Sequence, residues 1–566
     1  MAVVGIDLGT TNSLVSVWRD DASVIIPNAL GDLLTPSVVS VDEQGMVQVG
    51  KSAKDRLVTH PEFTASQFKR LMGSAEKVRL GKRTYSPEEL SALLLKQLKA
   101  DAENYLGEPV DEAIISVPAY FNNHQRTATL NAARLAGLKV ERLINEPTAA
   151  SLAYGIQESE EERRFIVVDL GGGTLDVSIL EKFEDLLEVH ATSGDSFLGG
   201  EDFTFAMVGA VCEQLKRERQ SLTREESAHL YRLCDETKKA LAEQHEVYLT
   251  ANIGGAAQDI RFTREDFSAC CDALLQRIRD PIERAVRDSG MGREDFDEVI
   301  LVGGASRMPL VRNFVGRLFG RIPSSIIDPD LVVAMGAAIQ AALKQRNQSL
   351  RDTVLTDVCP FSLGIETAKD LTQGHKAGFY HVIIPRNTVV PVSRVDRFYT
   401  VSDHQKAVQL VVFQGEQRLV RHNIEIGRLE VSVPRNKAGL ESVDVRFTYD
   451  INGVLEVQAE VISTGTRSHL VIQNTTTELD ESQLARLIKE MEKLKFHPRE
   501  HSANIALLGE AERMWAESLG EEREYIEELI QVFELVMDSQ DVRRCDAARV
   551  ELEKRLGDIK AQRGHW

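Results

Sequence analysis

The chain has 566 residues, 27% of them charged and 43% hydrophobic, and a formal net charge of -20. This length exceeds a single core and implies about three or four domains. The acidic balance, with no Lys/Arg-rich block, argues against nucleic acid or anionic membrane as the main partner.

In chain order, Val3 to Val17 reads first as an apolar strand, a turn carrying Asp7, Gly9, Thr10 and Thr11, and a returning strand. No basic segment precedes an apolar run here, so neither a signal peptide nor a membrane span is expected and the chain reads as cytoplasmic. Gly45-Met-Val-Gln-Val-Gly50-Lys51-Ser52 satisfies the P-loop pattern. However, Met46 to Val49 alternate like a strand and Asp42 to Gly45 reads as the turn before it, which makes a poor phosphate cradle. Helical periodicity covers Glu88 to Leu106 and Glu265 to Ser289, and Glu112 to Val117 is a buried strand ended by Pro118.

Phe165 to Leu180 repeats the N-terminal design. A buried strand leads into a turn with Asp169, Gly171, Gly172, Gly173 and Thr174, and the return strand opens with Asp176. Glycines let bare N–H groups approach an anion, and carboxylates at the strand ends can hold the waters of a magnesium ion. Two full copies suggest an internal duplication. A third glycine turn, Gly303-Gly304, follows the apolar strand from Val299, and Arg307 beyond it could stack on a base. Phosphoryl transfer also needs a positive group and a residue that orients the nucleophile; Lys69 and Glu146 are candidates that spacing alone would not select.

Up to about Lys344, β and helical patterns alternate, as in a mostly parallel or mixed sheet covered by helices. The polar stretch Gln345 to Asp352 breaks the pattern, and Thr353 to Asp357 reads as an interdomain linker that can dock. Residues 358–476 then alternate at period two, as in Ala407 to Phe413. Val443 to Tyr449 and Val454 to Val461 are joined by Asp450-Ile451-Asn452-Gly453, a strong hairpin signal, so an antiparallel β-sandwich is expected. From Leu479, the residues Leu484, Leu487, Ile488, Met491 and Leu494 mark an amphipathic helix with Asp480 as N-cap, and the tail to Trp566 reads as helical. His497-Pro-Arg-Glu500-His501 has a zinc-peptidase order, but Pro498 keeps both histidines from one helical face and metal is not expected there. Cys212, Cys234, Cys270, Cys271, Cys359 and Cys545 have no Cys-x-x-Cys spacing and read as reduced thiols, mostly core filler. The expected domains are 1–350, a linker 351–357, 358–476 and 477–566.

The motifs Gly5-Ile-Asp-Leu-Gly-Thr-Thr-Asn-Ser13, Val117-Pro-Ala-Tyr-Phe121, Asn145-Glu-Pro-Thr-Ala-Ala150, Asp169-Leu-Gly-Gly-Gly-Thr174, Phe197-Leu-Gly-Gly-Glu-Asp-Phe203 and Ile300-Leu-Val-Gly-Gly304 together resemble the DnaK-type heat-shock chaperones. The resemblance continues through Asp357-Val-Cys-Pro-Phe-Ser-Leu-Gly-Ile-Glu-Thr367, Pro385-Arg-Asn-Thr388 and Gln414-Gly-Glu416, in order over nearly the whole chain. It implies an actin-like, duplicated α/β ATPase domain, a β-sandwich that grips an extended apolar peptide, and a C-terminal helical lid. ATP and magnesium are the implied cofactors, and unfolded peptide clients and a J-domain co-chaperone the implied partners.

By the same resemblance Asp7, Asp169 and Asp176 match magnesium positions held through water, with Asp169, Thr174 and Asp176 also at the reacting phosphate. Gly9, Thr10, Thr11, Gly171, Gly172, Gly173, Gly199 and Gly200 match phosphate-binding positions. Lys69 matches the lysine that orients the attacking water and Glu146 a nearby catalytic carboxylate. Asp235, Lys238, Lys239, Gly303, Gly304, Arg307 and Asp330 match the nucleoside pocket. Pro118 and Arg126 match residues that relay the nucleotide state, and Arg142 and Asp357 match sites of J-domain and linker docking. Ile365, Thr367, Phe398, Val408 and Leu410 match the peptide cleft, with Ala368 and Val401 at the positions that arch over the peptide.

The chain also departs from the pattern. Ala242 replaces a serine near adenine and Asp235 a glutamate, Leu371 to Ala377 looks inserted beside the cleft, and Thr356 stands where the linker usually has leucine. Gly73 to Thr84 and Ala251 to Ile260 look shortened, which leaves use of the common nucleotide exchange factor open. With the short tail, these features resemble a shorter bacterial branch of the HscC type. The expected function is an ATP-dependent chaperone; a small-molecule kinase on an actin-like fold and a nucleotide-sensing protein without turnover are the alternatives.

Overall fold

The computed structural model describes residues 2–157, 162–183, 186–253, 256–324, 327–345, 354–371, 374–451, 453–472, 502–518 and 521–563. The expected helix at Leu479 to Leu494 with its Asp480 cap, the His497–His501 pattern and nearly all of Gln345 to Asp352 lie outside them.

The first half of the α/β region is built on a sheet ordered β11-β10-β1-β2-β3, from β1 (Val3–Asp7), β2 (Asn12–Arg19), β3 (Ala22–Ile26), β10 (Glu112–Val117) and β11 (Leu143–Asn145), with β4 (Thr35–Pro36) beside β2. A small outer sheet of β5 (Val38–Val41), β6 (Val47–Val49) and β7 (Thr64–Ser66) and a hairpin of β8 (Val78–Leu80) and β9 (Arg83–Tyr85) are inserted before β10. The P-loop-like stretch therefore spans a turn, the strand β6 and the start of α1 (Lys51–Thr59), with Lys51 exposed at its end. The second half has a sheet ordered β17-β12-β13-β14-β18-β21, from β12 (Arg163–Leu170), β13 (Leu175–Phe183), β14 (Leu186–Asp195), β17 (Glu298–Val302), β18 (Val354–Val358) and β21 (Val389–Val390). A separate hairpin of β15 (Glu246–Ile253) and β16 (Ala256–Thr263) flanks it.

The duplication read from the two turns extends to whole sheets. An antiparallel meander, β1-β2-β3 or β12-β13-β14, has a later strand, β10 or β17, parallel to its first member. Each half has its own apolar core, and a third core joins them across α4 (Glu146–Gln157) and α9 (Val332–Lys344). Glycine permits this close packing, since a Cβ at Gly336 would stand 1.7 Å from the Ala149 carbonyl oxygen and one at Gly5 2.4 Å from the Ala338 nitrogen. Four further helices start where the sequence supplies caps. Ser86 and Glu89 form a capping box for α2 (Pro87–Leu106), as do Asn122 and Gln125 for α3 (Asn123–Leu135), Thr223 and Glu226 for α6 (Arg224–Ala240), and Thr263 and Asp266 for α7 (Arg264–Ser289). Between these lie α5 (Gly200–Gln214) and, further on, α8 (Pro309–Phe319).

After β18 come two four-stranded antiparallel sheets. One is β20-β19-β23-β24, from β19 (Leu363–Leu371), β20 (Gly374–Ile384), β23 (Ala407–Gln414) and β24 (Ile424–Ser432). The other is β22-β25-β26-β27, from β22 (Val392–Tyr399), β25 (Ser442–Tyr449), β26 (Leu455–Val461) and β27 (Thr466–Ile472). Their alternating inner residues, including Ile365, Leu410 and Val412 from one sheet and Val445, Phe447 and Val457 from the other, share one core. Beyond them α10 (Ser502–Glu517), α11 (Glu521–Asp538) and α12 (Val542–Arg563) pack around Met514, Ile526, Phe533 and Leu556. Among the described residues no helix is long and apolar enough to cross a membrane.

Candidate functional site

The tips of the two glycine turns face one another. A Cβ on Gly172 would lie 1.9 Å from the Thr11 hydroxyl, one on Gly173 2.7 Å from the Thr10 methyl, and one on Gly199 2.4 Å from the Gly173 nitrogen. No side chain fits in these gaps, so bare backbone lines the space between the halves, as anion binding requires. Gly9 N–H donates to Ser13 Oγ at 3.1 Å, and the Gly171 and Gly200 N–H groups donate to the Thr174 and Gly171 carbonyls. Thr10 and Thr174 are buried beside them.

Beneath the turns lie the carboxylates. Asp7 ends β1 and accepts 2.7 Å from the Ser116 hydroxyl on β10. Asp169 and Asp176 are directly opposed across β12 and β13, and Asp176 accepts 2.9 Å from the Tyr120 N–H. Glu146, at the start of α4, pairs with Lys69 at 2.7 Å, and both side chains are buried. Lys69 Nζ also stands 5.7 Å from the Phe121 ring centroid. Burial, followed by the charge of Glu146, pushes the Asp7 and Asp176 carboxyls up to about 7, and burial pushes Asp169 well above the carboxylate range. These shifts share one origin: several acids crowd together with little solvent contact, and Lys69 is the nearby cation that opposes them. Among the described residues no three His, Cys, Asp or Glu side chains converge closely enough to ligate a metal directly.

On the other side of the turns Lys238 donates to the Gly200 carbonyl at 2.9 Å and to Thr204 Oγ1 at 2.7 Å, and pairs with Asp235 at 3.0 Å. Lys239 pairs with the same Asp235 at 2.5 Å. Gly303 has φ 81°, and a Cβ there would meet Asp169 Oδ1 at 2.7 Å, so this turn abuts the carboxylate set. Arg307 is half exposed and paired with Asp328 and, at 2.8 Å, with Asp330, while a Cβ on Gly304 would lie 2.6 Å from Asp330. Ala242 donates no side-chain polar group, and its carbonyl accepts from Arg264 at 2.8 Å.

A polar chain runs from this site to strand β18. Arg126 donates to Asn145 Oδ1 at 2.6 Å and to the carbonyls of Ala119 and Phe121, just after Pro118. Asn145 Nδ2 donates in turn to Asp357 Oδ2 at 2.9 Å, and Thr148 donates to the same oxygen at 3.5 Å. Arg142 lines the same cavity as Arg126 and Asp357. Burial raises the Asp357 carboxyl, against the opposing pull of Arg126 and Arg142. Strand β18 itself extends the second sheet, with Leu186 opposite Val354 and Glu188 opposite Thr356.

The two-sheet module sits against the α/β region through contacts that sequence reasoning missed. Asp288 at the end of α7 receives Arg386 at 2.7 and 3.0 Å and Asn387 Nδ2 at 3.0 Å, and Asn387 Oδ1 accepts from the Thr192 N–H. Gln414 accepts from the Asn123 N–H at 3.0 Å, and Tyr120 packs on Phe361 with centroids 4.4 Å apart. Arg386, Asn387 and Gln414 lie in motifs that carry the family resemblance, though nothing in them names these partners; Asp288 carries no local signal.

In that module Ile365 and Leu410 are core residues, and Phe398 and Val408 pack partly buried against the same cluster. Ala368 falls in the register shift between Thr367 and Lys369, a bulge that lifts the backbone at the sheet rim. Thr367 donates to the Phe379 carbonyl at 3.4 Å, and Val401 is 44% exposed in the loop after β22.

Comparison with known proteins gives one consistent result. The family described as Hsp70 protein matches residues 3–79 and 75–561. Proteins named Chaperone protein DnaK from Thermotoga petrophila and Thermotoga maritima are each 40% identical to the chain over 524 residues, covering 90% of it and 86% of the relative. The protein of that name from Thermosipho melanesiensis is 39% identical over 523 residues, covering the same shares.

Proposed function

The chain belongs to the Hsp70 family, and from that premise we propose how its own residues carry the family's activity. It is an ATP-hydrolysing molecular chaperone with an actin-like, two-lobed ATPase and a substrate-binding domain. Hydrolysis by the family removes the reading as a nucleotide sensor without turnover.

Two facing glycine turns over a buried acid set are the observation that carries the proposal. The phosphates of ATP lie between Thr10, Thr11 and Gly171 to Gly173, with Gly9, Gly199 and Gly200 shaping the cradle. The base and ribose lie toward Gly303, Gly304, Arg307, Asp330, Asp235, Lys238 and Lys239. Asp7, Asp169 and Asp176 fit a magnesium ion held through its waters: Asp169 and Asp176 are buried and Asp7 half-buried, the three are in excess over Lys69, and burial without a further positive charge drives them toward the protonated form. The ion, when bound, supplies charge that offsets the phosphates.

Lys69 and Glu146 orient the attacking water from below, Lys69 donating and Glu146 fixing the ammonium group. Thr174 adds a hydroxyl at the reacting phosphate. Arg126, with the loop after Pro118, and Asn145 carry the state of this site to Asp357 and the docked linker strand. Arg142, beside the same cavity, offers a J-domain partner a basic group. The client is an unfolded protein segment, extended and apolar. It lies along Thr367, Ala368 and Val401, over Ile365, Phe398, Val408 and Leu410, with the helical tail as lid. A cytoplasmic location fits this reading.

Measuring steady-state ATP turnover with and without an extended apolar peptide tests this reading. Turnover that rises with peptide is expected; turnover indifferent to every such peptide contradicts it.

A further inference from the structure

One polar contact across the mouth of the nucleotide cleft plays no part in the scheme above. Gln67 belongs to the first half of the α/β region, in the turn that leads into Lys69. Its backbone is left-handed, with φ 59°, a conformation that side-chain-bearing residues rarely hold unless contacts fix it. From there its amide reaches into the second half. Nε2 donates to Glu201 Oε2 at 2.6 Å and to the Tyr231 hydroxyl at 3.3 Å.

Both receiving groups are held in place. Glu201 lies in the first turn of α5, is 9% exposed, and accepts from the Thr11 hydroxyl at 3.1 Å through its other oxygen. Tyr231 lies on α6 and packs against Phe205 with ring centroids 5.1 Å apart, while the Arg219 guanidinium lies 4.7 Å from the Phe205 ring centroid. Glu201 thus joins the tip of the first phosphate turn to the seam between the halves. A neighbouring tie, Arg70 to Asp202 and to the Gly173 carbonyl, runs along the phosphate turn itself. Gln67 is the group that also reaches α6, through Tyr231.

We propose that Gln67, through Glu201 and Tyr231, is a catch that holds the two halves closed over bound nucleotide and so sets the rate of nucleotide release. This rests on the assignment of the nucleotide site above. The catch is a positioning device and touches no reacting atom. Its amide donates to a buried carboxylate, the stronger kind of hydrogen bond. Parting the halves breaks that bond before the ligand can leave, whereas hydrolysis in the closed state leaves it intact.

Release of ADP carrying a fluorescent N-methylanthraniloyl group, chased with excess ADP from the full-length protein, tests the proposal. Gln67→Ala should release the probe roughly tenfold faster, the size expected for one charge-assisted hydrogen bond. Tyr231→Phe keeps the ring on Phe205 and should speed release by about two- to threefold, as for a weak neutral bond. Single-turnover hydrolysis of ATP bound beforehand should be unchanged in both, which a general loosening of the fold would not allow. Release from Gln67→Ala within a factor of two of the unmodified protein overturns the catch. Failure of the unmodified protein to bind the probe overturns instead the nucleotide site on which it rests.

Discussion

Lys69 shows how much a single side chain is asked to do. Its ammonium is buried against Glu146 at 2.7 Å and lies beside the acids Asp7, Asp169 and Asp176. Even paired, buried charges add little net stability, because desolvation offsets their attraction, so retention of the pair favours a chemical role over a stabilising one. Lys69→Ala should lower single-turnover ATP hydrolysis by roughly 10²- to 10⁴-fold, the range for a positioned proton-handling group, with ATP affinity in equilibrium binding nearly unchanged. Hydrolysis within a few-fold of the unmodified protein removes Lys69 from its role. At this scale the sequence was informative where a residue sits in a glycine turn, since the turn chemistry is local. It was silent on the pair itself, because Lys69 and Glu146 lie 77 positions apart and only the closed fold brings them together. Asp288 and Gln67 were illegible for the same reason.

At the scale of elements, periodicity did most of the work. The strand at Glu112–Val117 is observed with those bounds, the helices expected at Glu88 and Glu265 begin one residue earlier at their capped prolyl and arginyl positions, and the hairpin through Asp450 to Gly453 joins β25 to β26. The twin turns led to the observed pair of meanders because the duplication is written in the strands as well as the glycines. Where strand pairing depends on distant partners, alternation could not supply it: β18 adding to β14 from across the chain is such a case. The same strand carries a weakness. Thr356 Oγ1 is buried with no hydrogen-bond partner among the described residues. A buried hydroxyl without a partner costs about 1–3 kcal/mol, and the cost falls on the pairing of β18 with β14. Thr356→Val keeps the shape and removes the hydroxyl, so amide hydrogen exchange over 354–358 should slow by about tenfold, as 1.4 kcal/mol of added stability implies. Faster exchange in the variant contradicts this account of the linker.

For the whole molecule, a polar chain joins the parts. Glu146, paired with Lys69, directly follows Asn145, which bonds Arg126 on one side and Asp357 of β18 on the other. Arg386, Asn387 and Gln414 fasten the two-sheet module to Asp288, Thr192 and Asn123. The length implied several domains, and the order of motifs pointed to the family that the comparisons show. How the domains meet was unreadable, because docking surfaces are polar, non-periodic and drawn from remote positions. The central claim is that the nucleotide site and the peptide cleft share one coupling free energy, so that each ligand must alter the other's binding. The direct measurement is the dissociation rate of a fluorescent extended apolar peptide from the full-length protein after mixing with ATP or with ADP. ATP should speed peptide release at least tenfold over ADP, and Asn145→Ala should shrink the difference. Equal release with both nucleotides would contradict the account.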